Sequence, residues 1–206
     1  MANRKITMRR DNLADLPMYP VPPPYTLRYY QPGDKAYWLA IHEDCERLIT
    51  VTPELFDVQF GTEEDVLSLR QLYICDEQGS PVATATAWYD DYGYGDGYGR
   101  VHWVAVREAH QGKGLAKALL TGVLRRLAEL GYRRAYLTTS TGHLKAVSLY
   151  LKFGFVPWFN EPCSDGAWQE VHSKLKHPVL ERFVSNSSSS FAHKDDGNTL
   201  SPFPYS

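Results

Sequence analysis

One stretch of this 206-residue chain constrains its fold more than any other: VAVREAHQGKGLAKALL, residues 104–120. Val104, Ala105 and Val106 close a strand expected over Arg100–Val106. The segment Gln111-Gly112-Lys113-Gly114-Leu115-Ala116 then turns directly into a helix. From there Leu115, Ala118, Leu119, Val123, Leu127 and Leu130 form one apolar face, and Gly131 stands where a C-capping glycine would end the helix. A strand, a glycine loop and a helix start together make a phosphate cradle. The first N–H groups of a helix are unpaired and the helix dipole adds positive potential. The glycines allow a tight turn and close approach of a pyrophosphate to the backbone, and Lys113 adds a mobile charge at the rim. The spacing is neither G-x-x-x-x-G-K-[ST] nor G-x-G-x-x-G.

Around this unit, strand and helix signals alternate. Tyr25–Tyr30 reads as a short strand and Asp34–Ile49 as a helix, apolar at Ala36, Leu39, Ala40, Cys45 and Leu48. Thr52-Pro53-Glu54 has the form of a helix cap with proline in the first turn, opening a second short helix through Phe60. Arg70–Cys75 and Pro81–Tyr89 form an expected hairpin, and Arg134–Thr139, Phe155–Phe159 and Trp168–Leu175 are read as further strands. Leu144–Phe153 is read as a helix closed by Gly154. The expected fold is a single α/β (α+β mixed) domain over residues 25–176, with one mixed sheet carrying helices. Residues 1–24 are expected to be an N-terminal extension and residues 177–206 a polar C-terminal tail.

Composition bounds what such a domain can do. Hydrophobic residues make up 43% and charged residues 22%, enough for a sizeable core, and the net charge of −2 gives no footprint for a nucleic-acid backbone. The five prolines between Leu16 and Pro24 argue against a secretory helix, and no stretch approaches a membrane span. Cys45, Cys75 and Cys163 are widely spaced, as buried thiols of a reduced compartment would be. A cytoplasmic protein is expected, with no nucleic-acid or membrane partner. The serine run from Ser185 to Ser190 suggests a loose tail, whose Phe191, Phe203 and Tyr205 would allow docking.

The loop DDYGYGDGYG, residues 90–99, alternates tyrosine with glycine. It is either a flexible hairpin connection or an active-site flap. As a flap, Asp90 and Asp91 would draw a cationic substrate, and Tyr92 and Tyr94 would give it broad amphipathic surfaces. As a connection, the aspartates are turn residues.

Gln111 to Ala116 matches the Q/R-x-x-G-x-G/A motif of the GNAT (Gcn5-related) N-acetyltransferase superfamily, which this chain resembles over roughly Tyr25–Leu175. A second stretch agrees: HLKAVSLYLKFGFVPW, with Ala146, Leu149, Tyr150, Gly154 and Phe155 at the family's spacing. The resemblance implies a mostly antiparallel mixed sheet with a splayed strand pair, acetyl-CoA as cofactor, and acetyl transfer to a primary amine. It implies that Val104, Ala105 and Val106 pair with the pantetheine arm, and that the N–H groups from Gln111, Gly112, Lys113 and Gly114 through Leu115 and Ala116 hold the pyrophosphate. It also implies that the Tyr150 hydroxyl is the general acid toward the departing thiolate; otherwise Tyr150 is a packed helix residue. His143 stands where the family often has an asparagine that touches the cofactor or caps the helix. It either keeps the cofactor contact or only occupies the helix start, with Ser140, Thr141 and Gly142 supplying the cap.

An amine must lose a proton before it attacks a thioester, and a histidine suits that task. His102 is the first candidate. Strand alternation puts His102, Val104 and Val106 on one side, and Val101, Trp103 and Ala105 on the other, unless a bulge intervenes. Many members of the superfamily place a glutamate where this chain has Arg100, so a carboxylate base of that kind is absent. His110 is expected to decorate the loop, and backbone N–H groups beside Val106 to stabilise the developing oxyanion. No metal-ligand cluster and no G-x-S-x-G elbow are present.

The acceptor is expected to be a small-molecule amine, aromatic or polyamine-like, bound between the helices of residues 34–60, the Tyr/Gly loop and a last hairpin near Trp158–Trp168. A peptide or protein amine, an aminoglycoside or an amino acid are alternatives. A domain that senses acyl-CoA without turnover is another. A homodimer is expected as one possible assembly.

Overall fold

The computed structural model describes residues 3–95, 97–159 and 164–187. Asp96, Cys163 and residues 188–206, with the end of the serine run and the tail's aromatics, lie outside the described residues. The strands are β1 (Lys5–Arg10), β2 (Thr26–Tyr29), β3 (Gln71–Cys75), β4 (Pro81–Trp88), β5 (Tyr98–Val106), β6 (Arg134–Ser140) and β7 (Val156–Trp158). The helices are α1 (Lys35–Cys45), α2 (Pro53–Phe60), α3 (Glu64–Arg70), α4 (Leu115–Glu129), α5 (Leu144–Lys152), α6 (Ser164–Leu175) and α7 (Pro178–Ser187). One sheet runs in the order β2-β3-β4-β5-β6-β1-β7. Every neighbouring pair is antiparallel except β5 and β6.

Two apolar layers sandwich the sheet. On one face Ala83, Ala85 and Ala87 of β4 are small enough to admit α4, whose Leu119, Leu120, Val123, Leu124 and Leu127 are wholly buried there. The same cluster takes Ile6 and Met8 of β1, Phe153 and Phe155 around α5, and Trp168 and Val171 of α6. On the other face Trp38 and Ile41 of α1, Phe56 and Phe60 of α2 and Leu67 of α3 pack on Tyr73 and Trp88. Thr52 caps α2 as its sequence promises, its hydroxyl accepting from Leu55 N at 3.2 Å.

Three expectations are corrected. Residues 1–24 are no mere extension: β1 lies within the sheet between β6 and β7, and its alternating Ile6 and Met8 fill the core. Residues 168–175 are helical, because Ala167, Trp168 and Val171 fall on one buried helical stripe. Among the described residues the expected last hairpin near Trp158–Trp168 is therefore absent, and the expected tail begins with α7, whose Leu180 is buried. The helix α3 was not expected at all.

Candidate active site

The strand, glycine loop and helix start follow one another as the sequence suggests. After β5 the chain makes a single 3-10 turn, Glu108–His110, and the Gln111 side chain donates back to the Val106 carbonyl at 3.0 Å. Gly112 and Gly114 then take φ of +76° and +86°, a region costly for residues with a Cβ, and the space beside both is open. None of the amides from Gly112 to Ala116 donates to a described residue. They stand together at the N-terminus of the 15-residue helix α4. Lys113 reaches the Tyr25 hydroxyl at 3.2 Å, and that hydroxyl also meets His110 Nδ1 at 3.0 Å. Leu115 is buried and anchors the helix start, so the cradle is rigid on its inner side.

Beside the cradle the sheet opens. β5 and β6 pair only at Tyr98–Arg134, Gly99–Ala135 and Arg100–Tyr136. Beyond Arg100 the two strands part, while β6 stays paired with β1 to Ser140 and β5 stays paired with β4 to Val106. Among the described residues, the edge of β5 from Val101 to Val106 therefore has no strand beside it on the β6 side. A backbone edge of that kind can pair with an extended amide-bearing arm. Val104, Ala105 and Val106 lie along it, between the split and the cradle.

Known proteins agree with this architecture. The model of the acetyltransferase (GNAT) family matches residues 35–155. The chain belongs to that family. It is 30% identical over 154 residues to a mycothiol acetyltransferase of Pseudarthrobacter chlorophenolicus, across 70% of this chain and 46% of that protein. A mycothiol acetyltransferase of Streptomyces scabiei is 30% identical over 177 residues, across 75% of this chain and 51% of its own length. The chain thus spans about half the length of these curated relatives. A GCN5-related N-acetyltransferase structure from Sphaerobacter thermophilus superposes with a TM-score of 0.60 at 25% identity, covering 76% of this chain and 48% of that one.

Within the GNAT frame, the side chains around the split sort by face. β5 carries a bulge. Thr84 pairs with Ala105 but Thr86 pairs with His102, so β5 has one residue more than β4 across that interval. Trp103 absorbs it with φ +49°, a strained backbone for a bulky side chain. The bulge overturns the expected alternation. Val101, Val104 and Val106 pack on the α4 side, whereas Trp103 and Ala105 join the aromatic cluster under α1 and α2. His102 goes with the latter, its ring 5.3 Å from Phe60 and 6.1 Å from Trp103.

His102 is 4% exposed, and its Nε2 has no hydrogen-bond partner among the described residues. Burial first, then Arg100 and His42, hold its pKa well below the usual imidazole range, so it is neutral at pH 7. Tyr150 belongs to the opposite layer, 7% exposed and edge-on to Phe155 at 6.1 Å. Burial alone pushes its phenol up to about 12. The two expected catalytic side chains thus lie on opposite faces of the sheet.

The Tyr/Gly loop is packed rather than loose. Tyr92 and Tyr94 stack at 5.8 Å, and Tyr94 lies 4.7 Å from Tyr136 and 4.5 Å from Trp158. Asp91 is not available to draw an amine: its carboxylate pairs with the Arg100 guanidinium and accepts from the Tyr136 hydroxyl at 2.6 Å. Asp90 accepts from the Gly95 amide at 2.9 Å. Sequence reasoning missed Arg100 as a member of the site. Its signal was position, two residues before His102 on a strand. At the far end, His143 stands at the N-cap of α5 without capping it. Its Nδ1 meets Ser140 Oγ at 3.3 Å and its Nε2 lies 3.6 Å from Glu46. Thr141 and Gly142 instead receive the N-terminal segment, Thr141 Oγ1 accepting from Arg4 N and Gly142 N donating to Asn3.

Proposed function

We propose that this chain transfers an acetyl group from acetyl-CoA to a primary amine of a small molecule. One observation carries this: a strand pair that parts after Arg100–Tyr136 leads along a free backbone edge to a glycine cradle of unpaired amides. A cofactor with a pyrophosphate at one end and an amide-linked arm fits that path. The names of the relatives, acetyltransferases and N-acetyltransferases, support the same reading.

The residues fall into roles. Gly112 to Ala116 hold the pyrophosphate, with Lys113 at the rim and Gln111 fixing the loop to the strand. Val104, Ala105 and Val106 present their backbone to the pantetheine arm. His143, tied to Ser140 and Glu46, closes the far wall beside it. Acetyl-CoA supplies the acyl group as a thioester. His102, kept neutral by burial, would be the acceptor for the proton that the attacking amine gives up. Tyr150, kept protonated by burial, would be the proton donor for the thiolate that acetyl-CoA releases. Holding both reactants in one cleft supplies much of the acceleration.

A thiol-release assay with acetyl-CoA and a panel of arylalkylamines, polyamines, aminoglycosides, amino acids and peptides tests this. Amine-dependent release is expected, falling on the order of 10²-fold in kcat for Tyr150→Phe and for His102→Ala. Acetyl-CoA binding without release to any amine would favour a sensing domain. Preference for peptides would favour a protein N-acetyltransferase. Absence of acetyl-CoA binding would sink the cradle assignment.

A further inference from the structure

We infer that the acceptor amine carries a carboxylate beside its nitrogen, as an α-amino acid does, and that Arg100 and His102 receive its two ends. The inference rests on the transferase reading and narrows its acceptor.

Arg100 and His102 occupy positions i and i+2 of β5, paired with Trp88 and Thr86 ahead of the bulge. They therefore share a face, with backbones about 7 Å apart. They sit where β6 leaves β5. Arg100 is 7% and His102 4% exposed, and each holds one buried nitrogen with no partner among the described residues: Nε of Arg100 and Nε2 of His102. Unpaired polar atoms are uncommon inside proteins, and two on neighbouring same-face positions point to one ligand with two polar ends.

The chemistry of the two atoms defines that ligand. A guanidinium nitrogen only donates, so its partner is an acceptor, best an anionic oxygen. A neutral imidazole carries one accepting nitrogen, and with Nε2 in that role His102 takes an N–H. An anionic oxygen and an amine nitrogen attached to one carbon satisfy both. Asp91 shows that this guanidinium already takes a carboxylate: the loop places one on Nη1, while Nη2 donates to Thr138 at 3.0 Å, leaving Nε. The Tyr92 ring lies 4.9 Å from the guanidinium, so a ligand enters by moving that ring and the loop that bears it.

The test compares phenylalanine, lysine and glutamate as free acids with their primary carboxamides. The wild-type kcat/KM should favour each acid by about tenfold or more, and Arg100→Gln should cancel the preference, mainly through KM. Equal rates for acid and amide, or a preference that survives Arg100→Gln, overturns the inference. A second readout needs no turnover. The Arg100 Nε–H signal in ¹H–¹⁵N NMR is titrated with N-acetylphenylalanine and with its carboxamide, and is assigned by its loss in Arg100→Gln or in Arg100→Lys. The acid should shift it and the amide should not; no shift with either overturns the inference. Failure of every amine in the rate assay, with the shift intact, would reject the transferase reading and keep the carboxylate site.

Discussion

His42 and His102 are two imidazoles whose charge the fold refuses. His42 donates Nδ1–H to the Trp38 carbonyl at 2.8 Å and lies between the indoles of Trp38 and Trp103, at 4.1 and 5.1 Å. Burial, the largest influence, lowers its pKa to about 4, whereas the unfolded imidazole titrates near 6.5. Between those values the unfolded chain binds the proton and the folded chain does not, so stability falls as pH falls through that window. The loss is about 1.4 kcal/mol per pH unit. Melting temperature should therefore drop between pH 6.5 and 4.5, and His42→Gln should flatten the drop. An unchanged slope would mean that other groups dominate. At this scale the sequence disclosed identities better than directions. His102 and Tyr150 were recognisable, but a bulge of one residue at Trp103 turned the expected faces, and nothing in VHWVAV announces it. Asp91 was legible as a loop carboxylate, but not as the partner of Arg100 and Tyr136.

At the scale of elements, two glycines have opposite reasons. Gly99 is needed for space, since a Cβ there would come within 2.6 Å of Leu127 and 2.8 Å of Tyr132, where α4 and its following turn press on β5. Gly99→Ala should destabilise the fold by about 1–3 kcal/mol through overpacking, read as a lower denaturant midpoint. Gly114 has open space but a left-handed backbone. Gly114→Ala should cost about 1–2 kcal/mol and raise KM for acetyl-CoA about tenfold, because the new methyl group enters the cradle. A normal KM would place the pyrophosphate elsewhere. The elements with strong periodicity were readable: α4, α5, the β3–β4 hairpin and the cap of α2. α6 was misread because Trp168 and Val171 suit a strand by composition, while their spacing suits a helix. α3 escaped notice because Leu67 is its sole wholly buried residue.

For the whole molecule, the topology decides what is dispensable. The split between β5 and β6 leaves β6 dependent on β1 for most of its pairing, six residue pairs against three. Deleting residues 1–10 should therefore abolish cooperative unfolding, even though the family match begins at residue 35. A truncated chain that melts sharply would show that β6 and β7 can close without it. In KITMRR only Ile6 and Met8 are apolar, too short an alternation to mark a strand by itself.

The position of β1 also sets the order of events during synthesis. Its first residue pairs with Ser140 and its middle with Trp158, both more than a hundred residues downstream. At about 5–20 residues per second, β1 leaves the ribosome on the order of 10 s before its partners exist. Ile6 and Met8, later among the most buried side chains, spend that interval in water. Folding of the sheet beyond β5 is thus a late, chain-length-dependent step, and nascent-chain stalling just before residue 134 should yield a product that proteases cut within residues 1–10.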